Sequence, residues 1–110
     1  MDWIELNAAA QLERLKENSF VQPQVIFKHS TRCSISSMVK QRLERAAAPA
    51  DVDFWYLDLI RYRDISNQIA DQFQVWHESP QVILLVKGEV LYDESHTGIS
   101  MDALEEQIPR

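Results

Sequence analysis

Cys33 is the only cysteine in the chain, and it lies in the segment HSTRCSIS. The segment follows an apolar-rich run at Gln24–His29 that we predict to be a strand. Apolar residues after Cys33 recur at helical spacing, which predicts a helix over Cys33–Ala46. The sulfur would then lie at a helix N-terminus, where the first backbone N–H groups have no partner within the helix. This position favours the thiolate, which is the nucleophilic form of cysteine.

Polar and charged residues surround this cysteine in the sequence. The helix dipole stabilises an anion at the helix N-terminus by about 0.3–1 kcal/mol. Hydrogen bonds from Thr31 or Ser36 would add to this stabilisation, and so would the positive charge of Arg32 or Lys28. We therefore predict a reactive thiol. The alternative is a buried and inert side chain, because free cysteine is among the most buried residue types.

The dipeptide Ser79-Pro80 is the second feature with chemical significance. It precedes the apolar run Gln81–Lys87, which is typical of a strand covered on both faces. Proline cannot donate a hydrogen bond to a sheet, so the start of a central strand is a special place for it. A trans proline that begins the strand is the commoner case. The alternative is a cis proline, with the backbone of Ser79 available to an extended thiol-bearing ligand. The reactive Cys33 upstream favours this alternative.

Other kinds of site have weaker support in the sequence. His29 and Cys33 suggest a metal pair, but zinc needs three or four ligands, and only two other histidines and scattered carboxylates remain. We therefore predict no metal site. A Cys–His hydrolase would need a third orienting group and an oxyanion hole, and no motif marks them. A nucleotide enzyme is not expected either, since the chain has no glycine-rich phosphate loop.

The rest of the pattern supplies the elements that hold these residues. The first helix is predicted over Ala8–Glu17 with Asn7 as its N-cap, and the last is capped by Ser100. The predicted strands are Gln24–His29, Val52–Leu59, Gln81–Lys87 and Glu89–Tyr92. Strands and helices alternate before a closing hairpin, which implies a partly parallel sheet. The predicted fold class is α/β, a four-stranded mixed sheet flanked by helices on both faces. Trp55 and Trp76 are expected in the core or at its rim, with a groove beside Cys33 as the alternative for Trp76.

Length and charge limit the classes of partner. The chain has 110 residues, which suits a single domain over 1–110. Its net charge of −6 disfavours binding to nucleic acid or to an anionic membrane surface. The N-terminal segment MDWIELNAAAQLERL lacks the apolar stretch of a signal peptide, and no run approaches the about 20 apolar residues of a membrane span. The predicted location is the cytoplasm, where a lone cysteine stays a thiol.

The order of these features resembles the thioredoxin superfamily over residues 24–107. A nearer resemblance is to the monothiol bacilliredoxin-like family, the YtxJ-type proteins of the bacillithiol system. It is carried by IFKHSTRCSIS at Ile26–Ser36 and by ESPQVILLVKGEVLYDESH at Glu78–His96. The first segment is the more specific, because the Lys-Gly-Glu hairpin is common to many thioredoxin-like proteins. The resemblance implies a thioredoxin-like fold.

The chain departs from ordinary thioredoxins at the second position of their motif. Those proteins have two cysteines separated by two residues, whereas here Ser36 takes the second place. In this respect the chain is similar to monothiol glutaredoxins, where a small thiol replaces the second cysteine. The resemblance implies that Cys33 attacks a mixed disulfide between a client protein and a low-molecular-weight thiol, bacillithiol or an analogue. Cys33 keeps the small thiol until a second small thiol or a reductase regenerates it.

The resemblance also implies roles for neighbouring residues and for partners. Pro80 and the backbone of Ser79 would align the incoming thiol, and Arg32 or Lys28 would meet its carboxylates. The implied partners are S-thiolated client proteins, the small thiol as co-substrate and a reductase, with no tightly bound cofactor. The acidic composition and the missing second cysteine also suit a non-catalytic thioredoxin-fold module for binding or redox sensing. A third alternative is an iron–sulfur carrier that bridges two chains through Cys33 and a small thiol.

Overall fold

The structure is a computed structural model, and it describes residues 1–109. Its elements in chain order are β1 (Trp3–Glu5), α1 (Gln11–Asn18), β2 (Gln24–His29), α2 (Ser34–Arg45), β3 (Asp53–Asp58), α3 (Arg63–Phe73), β4 (Gln81–Val86), β5 (Glu89–Ser95), a 3₁₀ turn (His96–Gly98) and α4 (Met101–Gln107). The predicted domain 1–110 ends at Arg110, which lies outside the described residues, and the single-domain assignment stays a prediction.

The strands form one mixed sheet in the order β1-β3-β2-β4-β5. Strands β1, β3 and β2 run parallel, whereas β4 is antiparallel to β2 and β5 is antiparallel to β4. Strand β2 is therefore paired on both sides, and all six of its residues are buried. The carboxyl end of this central strand leads directly to Cys33, so the site begins from the most constrained strand of the sheet.

The predicted count of four strands is wrong, because β1 adds a fifth. This strand has only three residues and pairs in parallel with β3, with Trp3 opposite Phe54. The Trp3 indole N–H also donates to Glu44 Oε2 at 2.8 Å. Three residues are too few to show an alternating pattern, and Ile4 is 38% exposed at the sheet edge. The segment is a strand because it pairs with β3, which is distant in the sequence.

Helix α1 begins later than predicted, and Asn7 does not cap it. Ala10 holds the N-cap position without a side-chain hydrogen bond. The Gln11 side-chain oxygen accepts hydrogen bonds from the backbone N–H groups of Asn7 and Ala8, at 2.7 and 2.9 Å. The buried residues of this helix are Leu12 and Leu15. The N–H groups of Asn7 and Ala8 precede the helix, so the Gln11 contact fixes the segment that leads into α1 and does not cap its first turn.

Two local predictions at the end of the chain are confirmed. The β4–β5 hairpin turns at Lys87 and Gly88. Their φ angles are 52° and 81°, and a two-residue type I′ turn requires positive φ at both positions. Strand β5 then runs to Ser95, which is longer than predicted. Ser100 caps α4, since its hydroxyl accepts from the backbone N–H of Ala103 at 3.1 Å.

Each face of the sheet carries its own apolar cluster. Alternation along β2 sends Ile26 to the cluster with α1 and α3, and Phe27 to the cluster with α2 and α4. Trp55 lies in the first cluster, in agreement with a core position. Trp76 is 90% exposed, so the expectation of a core position for it is wrong. Within residues 1–109, no helix has both the length and the apolar character to cross a membrane.

Candidate active site

Cys33 is the N-cap residue of helix α2, with φ −109° and ψ 121°. Its backbone N–H donates to the Ser30 carbonyl at 3.1 Å, and its own carbonyl accepts from Ser37 N–H at 3.1 Å. The side chain is half-buried. The prediction that the helix starts at this cysteine is therefore confirmed. The Cys33 side chain makes no capping hydrogen bond to the N–H groups of the first helical turn.

Ser36 lies under this turn and is fully buried. Its hydroxyl oxygen accepts from the Ser30 backbone N–H at 3.0 Å and lies 2.7 Å from His29 Nδ1. Because the oxygen already accepts from Ser30, its proton is free to be donated to the histidine nitrogen. The residue at the second motif position thus ties the start of α2 to the end of β2.

His29 is the partner that the sequence did not indicate. It is buried at the end of β2, where burial lowers the pKa of the imidazole and Lys40 lowers it further, while Asp58, Ser36 and Glu44 oppose the shift. The lowered pKa favours the neutral ring, which shares a hydrogen bond with the Ser36 hydroxyl at Nδ1. In the sequence this histidine suggested only a metal ligand. Within residues 1–109, no group of three or more His, Cys, Asp and Glu side chains has the arrangement to hold a metal ion.

The two residues before Cys33 face solvent, whereas Ser36 is buried. Thr31 and Arg32 are both exposed in the turn that joins β2 to α2. Arg32 therefore carries its charge in solvent, next to the half-buried Cys33. The contact with ligand carboxylates that the family resemblance implied for Arg32 stays a prediction.

The Ser79-Pro80 peptide bond is cis, so the cis alternative considered from the sequence is confirmed. Antiparallel pairing sets Lys28 opposite Gln81, and this register continues from Phe27 opposite Val82. The segment just before β4 therefore lies at the end of β2 that leads to Cys33. The structure thus brings together two motifs that are far apart in the chain. The Ser79 hydroxyl oxygen is buried and has no hydrogen-bond partner within residues 1–109.

The expectation that Lys28 meets the carboxylates of a ligand is wrong. Its side chain is fully buried, and its Nζ donates to Gln81 Oε1 at 3.2 Å. Burial lowers the pKa of Lys28 from 10.5 to about 8, partly opposed by the charge of Glu78. A fully buried ammonium cannot reach a carboxylate in solvent, so Arg32 is the cation next to Cys33 that a ligand can reach.

The segment 76–80 is held to three parts of the fold, and we call it the proline loop. The Gln81 amide contacts Trp76 O and Glu78 N, at 2.9 and 3.3 Å. His77 Nδ1 lies 3.3 Å from the Ser66 hydroxyl of α3. The His96 backbone N–H donates to Pro80 O at 3.0 Å. Side chains from α3 and β4, and a backbone group after β5, therefore fix the position of the loop.

Exposed apolar side chains lie on the same elements. Ile35 and Met38, in the first turns of α2, are 43% and 46% exposed, although their helical spacing alone resembles that of core residues. Trp76 of the proline loop is the most exposed large apolar residue, at 90%. Exposed aliphatic groups in the helical turns that follow Cys33 suit contact with another protein chain.

We expect the substitution Lys28→Met to stabilise the protein by about 1–3 kcal/mol below pH 8, because methionine fills a similar volume without a buried charge. Since the folded-state pKa lies below the unfolded value, the folded state binds fewer protons between about pH 8 and 10.5. Wild-type stability therefore rises across this window, and the advantage of the variant shrinks. Urea unfolding at several pH values measures both free energies. Lys87→Met, an exposed control, should show no such change, and a pH-independent difference for Lys28→Met would contradict the prediction.

Comparison with known proteins identifies the family to which the chain belongs. The sequence model of the family described as Monothiol bacilliredoxin BrxC matches residues 4–104. The chain belongs to the monothiol bacilliredoxin family. The match covers both the cysteine turn and the proline loop, so the resemblance noted in the sequence is confirmed. Membership and fold together support a thiol redox function.

Solved structures confirm the thioredoxin-like fold. One protein described as having a thioredoxin fold is 31% identical, with a TM-score of 0.79, covering 94% of this chain and 91% of that one. Thioredoxin from Malassezia sympodialis is 14% identical, with a TM-score of 0.74 and coverage of 96% and 86%. Mitochondrial thioredoxin 3 from Saccharomyces cerevisiae is 21% identical, with a TM-score of 0.71 and coverage of 96% and 92%. The last two similarities concern the fold alone.

Proposed function

We propose that this bacilliredoxin is a monothiol thiol–disulfide oxidoreductase that removes a small thiol of the bacillithiol type from protein mixed disulfides. The observation that carries the proposal is the position of Cys33, a lone and half-buried cysteine at the N-terminus of α2. Ser36 occupies the place of a second cysteine, and its buried hydroxyl group is hydrogen-bonded. The chain by itself therefore supplies one sulfur, and the other has to come from a small molecule.

The proposed reaction has two exchange steps. The Cys33 thiolate attacks the small-thiol sulfur of the mixed disulfide, the old S–S bond breaks, and the client leaves as a thiolate that takes up a proton. Cys33 is then joined to the small thiol. A second small-thiol thiolate attacks the small-thiol sulfur of this adduct, releasing Cys33 and a symmetrical small-thiol disulfide. A reductase returns that disulfide to two thiols with two electrons.

Neighbouring residues have supporting roles in this proposal. Arg32, exposed beside Cys33, meets the carboxylates of the small thiol, and Thr31 offers a hydroxyl in the same turn. Ser79 and Pro80 align the incoming sulfur from the proline loop. Ser36 acts indirectly, because it holds the turn that carries the cysteine. We further propose that the partners are S-thiolated client proteins and a reductase of the cytoplasm, where a reducing environment keeps Cys33 as a thiol.

The proposal is tested with two model proteins that carry either bacillithiol or glutathione on one cysteine. Each is incubated with the reduced protein, and intact-mass spectrometry follows the loss of the adduct. We expect faster release of bacillithiol than of glutathione, with transient transfer of bacillithiol to Cys33. Release no faster than with free bacillithiol alone, and no adduct on Cys33, would refute the proposed activity and favour a binding module.

A further inference from the structure

A buried positive charge lies on β2 close to the site, outside the proposed reaction. The Lys28 side chain is fully buried, and its one hydrogen bond within residues 1–109 goes to Gln81 Oε1 at 3.2 Å. An ammonium carries three donors, so burial leaves this group poorly compensated. The group cannot contact a substrate from this position. Its direct hydrogen bond to the proline loop network is the one with Gln81.

The Gln81 amide connects this charge to the proline loop. Its oxygen accepts from Lys28 and from the Glu78 backbone N–H at 3.3 Å, and its nitrogen donates to Trp76 O at 2.9 Å. The bond with the ammonium therefore orients the amide so that both loop contacts are made with the correct atoms. Removal of the charge takes away the strongest of the three contacts that orient the amide, and so weakens its hold on the loop backbone.

Two titratable groups of the proline loop act electrostatically on this network. Glu78 raises the pKa of Lys28, and Lys28 in turn lowers the pKa of His77, after burial of that imidazole. Both residues lie between Trp76 and Pro80. The charge of Lys28 is thus attracted to Glu78 and disfavours protonation of His77. These interactions also link β2 to the proline loop.

A methionine would fill the same space at lower cost, so burial of an ammonium here gives no benefit to packing. We propose that Lys28 is a positioning residue that holds the proline loop, through Gln81, in the arrangement that receives the mixed disulfide beside Cys33. This inference rests on the proposed function, because it concerns substrate binding in that reaction. It assigns Lys28 to substrate alignment and separates it from activation of the thiol.

The decisive variant is Lys28→Met, compared with Lys87→Met as a control on an exposed lysine of the hairpin turn. With the bacillithiolated model protein, we expect KM to rise about tenfold, equivalent to about 1.4 kcal/mol, with kcat changed less than about twofold. Alkylation of Cys33 by iodoacetamide does not use the loop, so its rate should stay within about twofold. An unchanged KM, or a loss of alkylation equal to the loss of turnover, would overturn the inference.

A second variant tests whether Lys28 and Gln81 act in one chain of contacts. Gln81→Met should raise KM by the same factor as Lys28→Met, and the double variant should raise it no further, because both residues act in one chain of contacts. Additive effects would overturn the inference.

A measurement without substrate separates this inference from the proposed function. Hydrogen exchange of the Glu78 amide, which donates to Gln81, should be faster in Lys28→Met than in Lys87→Met, whatever the enzyme activity. Equal exchange rates would overturn the role of Lys28. An inactive wild-type protein with the expected exchange difference would instead reject the proposed function.

Discussion

The substitution Cys33→Ser is expected to reduce small-thiol removal to the rate of the free thiol alone. A serine hydroxyl is not ionised near neutral pH and cannot form a disulfide, and no second cysteine exists to take over. The exposed Arg32 and the proline loop remain in place, so the substrate still binds. Release of bacillithiol from the model protein, followed by intact-mass spectrometry, measures this effect. Retained exchange would contradict the proposed role of Cys33.

Stability measurements keep this result interpretable. Sulfur and oxygen differ little in size and the side chain is half-buried, so the free energy of unfolding should change by less than about 1 kcal/mol. Ser34→Ala is a matched control, because Ser34 is exposed and adjacent to the cysteine. It should retain exchange near the wild-type rate. A lost activity in both variants would indicate a disturbed helix start and not a missing nucleophile.

The substitution Ser36→Cys is expected to change the one-thiol chemistry into two-thiol chemistry. Residues three apart on a helix are neighbours, with about 5–6 Å between their Cβ atoms. A disulfide needs about 3.5–4.5 Å, so positions 33 and 36 have to approach by about 1–2 Å when the bond forms. The new thiol would attack the Cys33 adduct, release the small thiol and leave an internal disulfide. Mass spectrometry should show a protein that has lost two hydrogens in place of the small-thiol adduct.

The same variant should be less stable in its reduced form. The Ser36 hydroxyl is buried and hydrogen-bonded to the Ser30 N–H and to His29 Nδ1, and a thiol replaces these bonds poorly. We expect a loss of about 1–3 kcal/mol in urea unfolding. Ser34→Cys is the control, since adjacent helical residues do not face each other and the adduct should persist. Persistence of the adduct in Ser36→Cys would show that position 36 cannot reach Cys33.

Ser36 and its neighbour His29 explain how the site differs from that of a two-cysteine protein. Ser36 and His29 form a hydrogen bond beneath the helix start, and burial lowers the pKa of the imidazole, which favours the neutral ring. The second position is therefore occupied by a structural contact. A chain built in this way has to obtain its second sulfur from solution.

Features that depend on neighbouring residues were predictable from the sequence. Strand β2 has the predicted bounds, Cys33 lies at the start of α2, and the Lys87-Gly88 turn closes the hairpin. Strand composition, helical spacing and turn residues act over a few positions, so a single sequence contains the needed information. The single cysteine also determined that no internal disulfide can form.

Features that depend on distant contacts were decided by the tertiary structure. Strand β1 exists because β3 pairs with it, and Trp76 is exposed although its carbonyl is bonded to the buried Gln81. Lys28 looked like an accessible cation, but the central position of β2 buries it. The isomer of the Ser79-Pro80 bond likewise followed from neither residue alone. The sequence therefore determined the reactive atom, whereas folding decided which groups surround it, because burial and strand register join residues that are far apart in the chain.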